Sequence, residues 1–178
     1  ELADALRGYR HRRDELMSAL HAIAEKHSSY TAIFNDQYEE GIVGGPLQDI
    51  CPFTVMGMFN RGISDTNRVR IAQELADFLK VKASPPQSFN AVPLLNNQNS
   101  WFFRYAYARE SNDIEKLWDV FEAALDYADK GAEDESHQAT FVAAYDKASR
   151  LARVGWKLTM GFFWIRAWDF VPLDRRSR

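Results

Sequence analysis

Apolar positions recur at helical spacing along parts of the chain and lapse between them. Over residues 3–27, Leu6, Tyr9, Leu16, Leu20, Ile23 and Ala24 share one face and predict an amphipathic helix. The period is lost over 28–51, where Gly41, Gly44, Gly45 and Pro46 predict loops. Pro52 suits the first turn of a second helix carrying Phe53, Val55, Met56, Met58 and Phe59. Asn60-Arg61-Gly62 ends it, with Gly62 as a left-handed cap. Ser64 or Asp65 caps a third helix with Val69, Ile71, Ala72, Leu75, Phe78 and Leu79 on its core stripe. Pro85, Pro86 and Pro93 predict a long connection over 81–100, with a short strand at Ala91–Leu95. Ser111 or Asn112 caps a helix over 113–130, where Ile114, Leu117, Trp118, Phe121 and Leu125 recur at three and four. A charged break at Lys130–Ser136 precedes a helix over 137–152 with Phe141, Ala144, Tyr145, Ala148 and Leu151 inward. The stretch after Val154 fits either period; a helix to Ile165 followed by an extended segment is the preferred reading. The predicted fold is a mainly α single domain, with a small β element near 91–105.

Composition narrows the functional classes. At 178 residues with 46% hydrophobic and 26% charged positions, the chain can hold a core without disulfides or metal. A net charge of −3 argues against a wholesale polyanion binder but leaves room for a local basic patch. Cys51 is the only cysteine, which points to a reducing compartment, and the cytoplasm is the expected location. No apolar run spans a bilayer and no signal peptide is visible. The missing initiator Met and the basic end Asp174-Arg175-Arg176-Ser177-Arg178 predict a piece of a larger protein. Walker, dinucleotide and Gly-x-Ser-x-Gly signatures are all missing. His11, His21, His27 and His137 stand at no metal-ligand spacing, the early ones reading as exposed, so neither metal nor cofactor is implied. Cys51, before Pro52 with no base nearby, reads as an inert buried thiol. Asp36, Glu39 and Glu40 read as surface charge, and Arg10-His11-Arg12-Arg13 as a solvated face balanced by Asp14 and Glu15.

One run stands out. Asn96, Asn97, Gln98, Asn99 and Ser100 lead directly into Trp101, Phe102, Phe103 and Tyr105. Carboxamides offer paired donors and acceptors, and aromatic rings offer stacking faces. A nucleobase needs both: an amide can read an adenine or cytosine edge, and a stacked ring contributes about 1–3 kcal/mol per base. A methylated base would be flipped into a shaped apolar pocket. The candidate base-binding residues are Asn97, Asn99, Trp101, Phe103, Trp164 and Trp168; the candidate phosphate-binding residues are Arg61, Arg68, Arg104, Arg166 and Arg175. The competing reading is a buried loop whose amides satisfy backbone groups while Trp-Phe-Phe plugs the core. Two further functions fit the same residues. One is a base-excision enzyme of the glycosylase type, with Asp169 or Asp174 stabilising the developing cation; the other is a module that docks a nuclease through its Trp-rich faces.

Several segments together carry a family resemblance. They are Pro52-Phe53-Thr54, Phe59-Asn60-Arg61-Gly62-Ile63-Ser64 with Asn67-Arg68, and Leu94-Leu95-Asn96-Asn97-Gln98-Asn99-Ser100-Trp101-Phe102-Phe103. Asp113-Ile114 with Leu117-Trp118 and Phe121 follows, then Gly161-Phe162-Phe163-Trp164-Ile165 with Leu173-Asp174. From Pro52 to Asp174 the chain resembles the region ahead of the ATPase in McrB-like AAA+ restriction proteins. The resemblance implies a non-catalytic specificity domain that binds double-stranded DNA modified at cytosine. It also implies two partners, an AAA+ motor in the same chain and a separate nuclease subunit, and no membrane.

Overall fold

The computed structural model describes residues 1–28, 35–42, 44–96, 100–131 and 134–173. Among them are seven α-helices: α1 (Leu2–Arg7), α2 (Arg13–Lys26), α3 (Pro52–Gly57), α4 (Asp65–Phe78), α5 (Asp113–Lys130), α6 (Glu135–Ser149) and α7 (Lys157–Ile165). They enclose one hydrophobic core. The mainly helical expectation holds. No strand forms among the described residues of the 91–105 stretch, where the only pairing is a single bridge between Arg61 and Leu95. Pro93 has no N–H to give to a ladder, and Ala91 turns left-handed at φ 65°.

The core is built around α5. Its three-and-four spacing buries Ile114, Leu117, Trp118, Phe121 and Leu125. Trp118 is fully buried and its indole N–H donates to the Ile50 carbonyl at 3.0 Å. α6 packs along α5, and α3 and α7 also contact it. The opposite face of α5 is acidic and receives the N-terminal arginines. Arg7 pairs with Asp126 at 2.7 Å, and Arg10 reaches Glu115, Asp119 and Glu122 together. Arg13 joins Asp49 and Glu115 at 3.3 and 3.2 Å. Only Arg12 keeps the expected local partner, Glu15.

Three local expectations change. The helix expected over 3–27 divides at Gly8–Arg12, because Gly8 is a weak helix former and Arg12 is non-helical. The break lets the Leu6 and Leu16–Leu20 stripes meet one core. α3 stops at Gly57, and residues 51–61 are buried on every side, so they show no amphipathic period. Gly62 is not left-handed; Gly41, Gly131 and Gly155 are the positive-φ glycines. Ser64 does cap α4, accepting the Asn67 N–H at 3.3 Å.

Two small residues decide how closely the elements approach. A Cβ on Gly161 would stand 2.5 Å from the Phe53 ring, so glycine there lets α7 lie on α3. A Cβ on Gly57 would stand 2.7 Å from the Ser100 carbonyl oxygen, so glycine there lets Ser100 close on α3.

Candidate nucleic-acid interface

α7 holds the amide-aromatic segment at both ends. At its last turn the Trp164 indole N–H donates to the Pro93 carbonyl at 2.9 Å. At its first turn the Lys157 ammonium donates to the Trp101 carbonyl at 2.6 Å. Pro93 is thus tied to the last turn of the helix and Trp101 to its first. Phe102 anchors the run in the core, its N–H donating to Thr54 Oγ1 at 3.1 Å and its ring lying edge-on to Trp164.

Lys157 is 6% exposed, so its charge is held largely out of water. Burial pushes its ammonium down to about 8, and the positive charge of Arg153 adds to the shift. The α6–α7 corner makes this arrangement. Arg153 turns left-handed at φ 70° and Gly155 at φ 45°, folding the chain back so that Trp156 and Lys157 open α7. Arg150 and Arg153 are exposed on this corner and Trp156 is 43% exposed. Arg153, Trp156 and Lys157 help to line a shallow hollow of about 390 Å³.

A second cavity, about 280 Å³, lies behind the other end of α7. Phe59, Phe89, Val92 and Trp164 give it apolar walls, and Asn60 is a polar lining group. Asn60 Oδ1 accepts from Arg68 Nη2 at 2.9 Å.

The proposed arginines behave differently from the expectation. Arg61 and Arg68 are 5% and 2% exposed. Arg61 Nε donates to the Met58 carbonyl at 3.1 Å, and Arg68 Nε to the Phe59 carbonyl at 2.6 Å. The Arg68 guanidinium also lies 3.7 Å from the Phe89 ring centroid. Both tie the 58–61 turn to the fold and offer no surface for phosphate. Burial holds both guanidiniums below their ordinary range. Arg166 is clamped between Asp129 at 2.9 Å and Asp4 at 2.5 Å; the Asp129 bond first, then that to Asp4, raises its basicity. Arg104 is exposed.

The aromatic candidates divide too. Phe103 is buried at 2% exposure and belongs to the core. Trp101 is partly buried, with its ring 5.2 Å from Phe103 and 5.9 Å from Tyr105. Trp164 is partly buried at the cavity wall, and Trp168 is fully exposed on the turn after α7. Asn97, Asn99 and Arg175 lie outside the described residues, as does Asp174, while Asp169 is exposed.

The structure adds Arg150, Arg153, Trp156 and Lys157, which the sequence reading passed over. The signal was there: cations three apart, then Gly-Trp-Lys at a helix start. His27 is buried and lies 3.5 Å from Glu74, contrary to the exposure expected of it. Among the described residues no group of His, Cys, Asp or Glu is placed to hold a metal ion, and no helix is long and apolar enough to cross a membrane.

A family model matches residues 1–178. The chain belongs to the DUF8425 family, described as a domain of unknown function. No curated protein and no solved structure matches it. Membership therefore carries no ligand with it, and the site's own chemistry has to supply the functional reading.

Proposed function

We propose that this is a non-catalytic DNA-binding specificity domain of a cytoplasmic, McrB-like restriction system. The observation that carries the reading is the Lys157–Trp101 bond, which ties Trp101 to the corner bearing Arg150, Arg153 and Trp156. Cations beside an exposed indole suit phosphates and a stacked base. The anchors differ from the first expectation: Arg150 and Arg153 take the phosphate role in place of Arg61, Arg68 and Arg166. The cavity walled by Phe59, Phe89 and Trp164 suits a flipped, methylated cytosine. Its apolar walls suit the methyl group, and Asn60 supplies a polar group to the lining.

The test is an anisotropy titration of unmodified and cytosine-methylated duplexes over a range of salt concentrations. Wild type binds at low salt and prefers the methylated duplex. Arg150→Ala with Arg153→Ala lowers affinity for both duplexes and flattens the log K against log salt slope by about 2. Absence of binding to either duplex at low salt, or an unchanged slope in the double variant, refutes the reading.

A further inference from the structure

Another surface uses none of the anchors just assigned and has the opposite electrostatic character. The loop over 35–46 is closed by a tight turn, with the Ile42 N–H donating to the Glu39 carbonyl at 3.2 Å and Gly41 left-handed at φ 76°. Asp36, at 1% exposure, joins this loop to residues 105–109. Its Oδ1 accepts the N–H groups of Gln37 and Ala106 at 2.9 and 2.8 Å, and its Oδ2 accepts from Arg109 at 3.0 Å. The Tyr107 N–H donates to the Gln37 carbonyl at 3.1 Å, which adds a backbone link. Two surface segments are thus fixed to each other through a buried carboxylate.

What they present is aromatic. Tyr38 is 47% exposed, Ile42 56% and Tyr107 44%. Tyr107 stacks on Tyr105 with centroids 6.4 Å apart and planes at 22°. Tyr38 rests on Gly44, where a Cβ would stand 2.6 Å from its ring. The rings are therefore backed and held, so little side-chain freedom remains to be lost on binding. Around them Glu39, Glu40 and Glu110 are exposed, Glu110 with Lys116 3.5 Å away, and Arg104 is an exposed cation. Arg109 is spent on Asp36 and on the Arg104 carbonyl.

The geometry points to a docking surface for an arginine-bearing segment of another protein. Guanidiniums stack on tyrosine faces and pair with carboxylates in a fork, which ammonium groups do less well. The carboxylates repel a phosphate backbone, so nucleic acid is the wrong occupant here. This assignment does not depend on the DNA reading.

The probe is a labelled octapeptide of alternating Arg and Gly, compared with its Lys and Glu counterparts and with an oligothymidylate of eight nucleotides, followed by anisotropy. The Arg peptide binds about fivefold tighter than the Lys peptide, and the Glu peptide and oligothymidylate show no affinity that depends on these residues. Tyr38→Ala with Tyr107→Ala, and separately Glu39→Gln with Glu40→Gln, each weaken the Arg peptide about fivefold or more while circular dichroism stays unchanged. The two variants are independent, so an unfolded tyrosine variant leaves the glutamine variant as the test. Equal affinity for the Arg and Lys peptides, or full affinity retained in a folded variant, overturns the assignment.

Discussion

Replacing Lys157 with Met isolates the electrostatics of the candidate interface. The buried ammonium titrates at about 8 against an ordinary 10.5. Below pH 8 folded and unfolded chains both carry the proton, and the folded state bears the full desolvation cost. Between the two values the unfolded chain binds more protons, so stability rises with pH. At 1.36 kcal/mol per pH unit, the Lys157 contribution grows by about 2.5 kcal/mol between neutral pH and pH 10. Near pH 7 the substitution is almost neutral: relief from a buried charge, about 3 kcal/mol, offsets the lost bond to the Trp101 carbonyl, about 1–3 kcal/mol. The assay is urea unfolding of both proteins from pH 6 to pH 10. The difference between wild type and Lys157→Met should move in favour of wild type as pH rises. A difference that stays flat would show that the ammonium is solvated, and the link from α7 to the amide run would then lose its physical basis. The same variant, tested for DNA binding at pH 7, should lose affinity while keeping its stability, because Trp101 is no longer held.

Further outcomes follow from the same contacts. Gly57→Ala should cost about 1–3 kcal/mol in chemical denaturation, since its Cβ meets the Ser100 backbone oxygen, which cannot swing away like a side chain. Arg68→Ala should destabilise the fold by about 3 kcal/mol by orphaning the Phe59 carbonyl and Asn60 Oδ1, yet leave the salt slope of DNA binding unchanged. The Cys51 thiol, pushed up to about 11 by burial, should react with a thiol reagent at pH 8 only at the rate of unfolding. Prompt labelling of the native protein would contradict its burial.

Much of the resemblance-bearing sequence turns out to serve architecture. Phe53, Thr54, Arg61, Arg68, Trp118, Phe121 and Gly161 are all buried. Arg61 and Arg68 show why charge alone misleads: a guanidinium in or beside a helix reads as a surface cation until the neighbouring carbonyls are known. Arg10 is a similar case, since its partners on α5 lie more than a hundred residues away, with Glu115 at a separation of 105.

The sequence by itself determined the helical class, the span of α5, a cap at Ser64 or Asp65, the end of α7 at Ile165 and the burial of Cys51. These depend on local period, propensity and capping, which act over a few residues. It also identified the amide-aromatic run as unusual. Only the tertiary structure decided what surrounds that run. It buried Arg61 and Arg68, clamped Arg166, sank Phe103 into the core and brought Lys157 to the Trp101 carbonyl. Whether a charged side chain meets water, a carboxylate or a backbone oxygen depends on elements distant in the chain, and hydrophobic spacing holds no record of them.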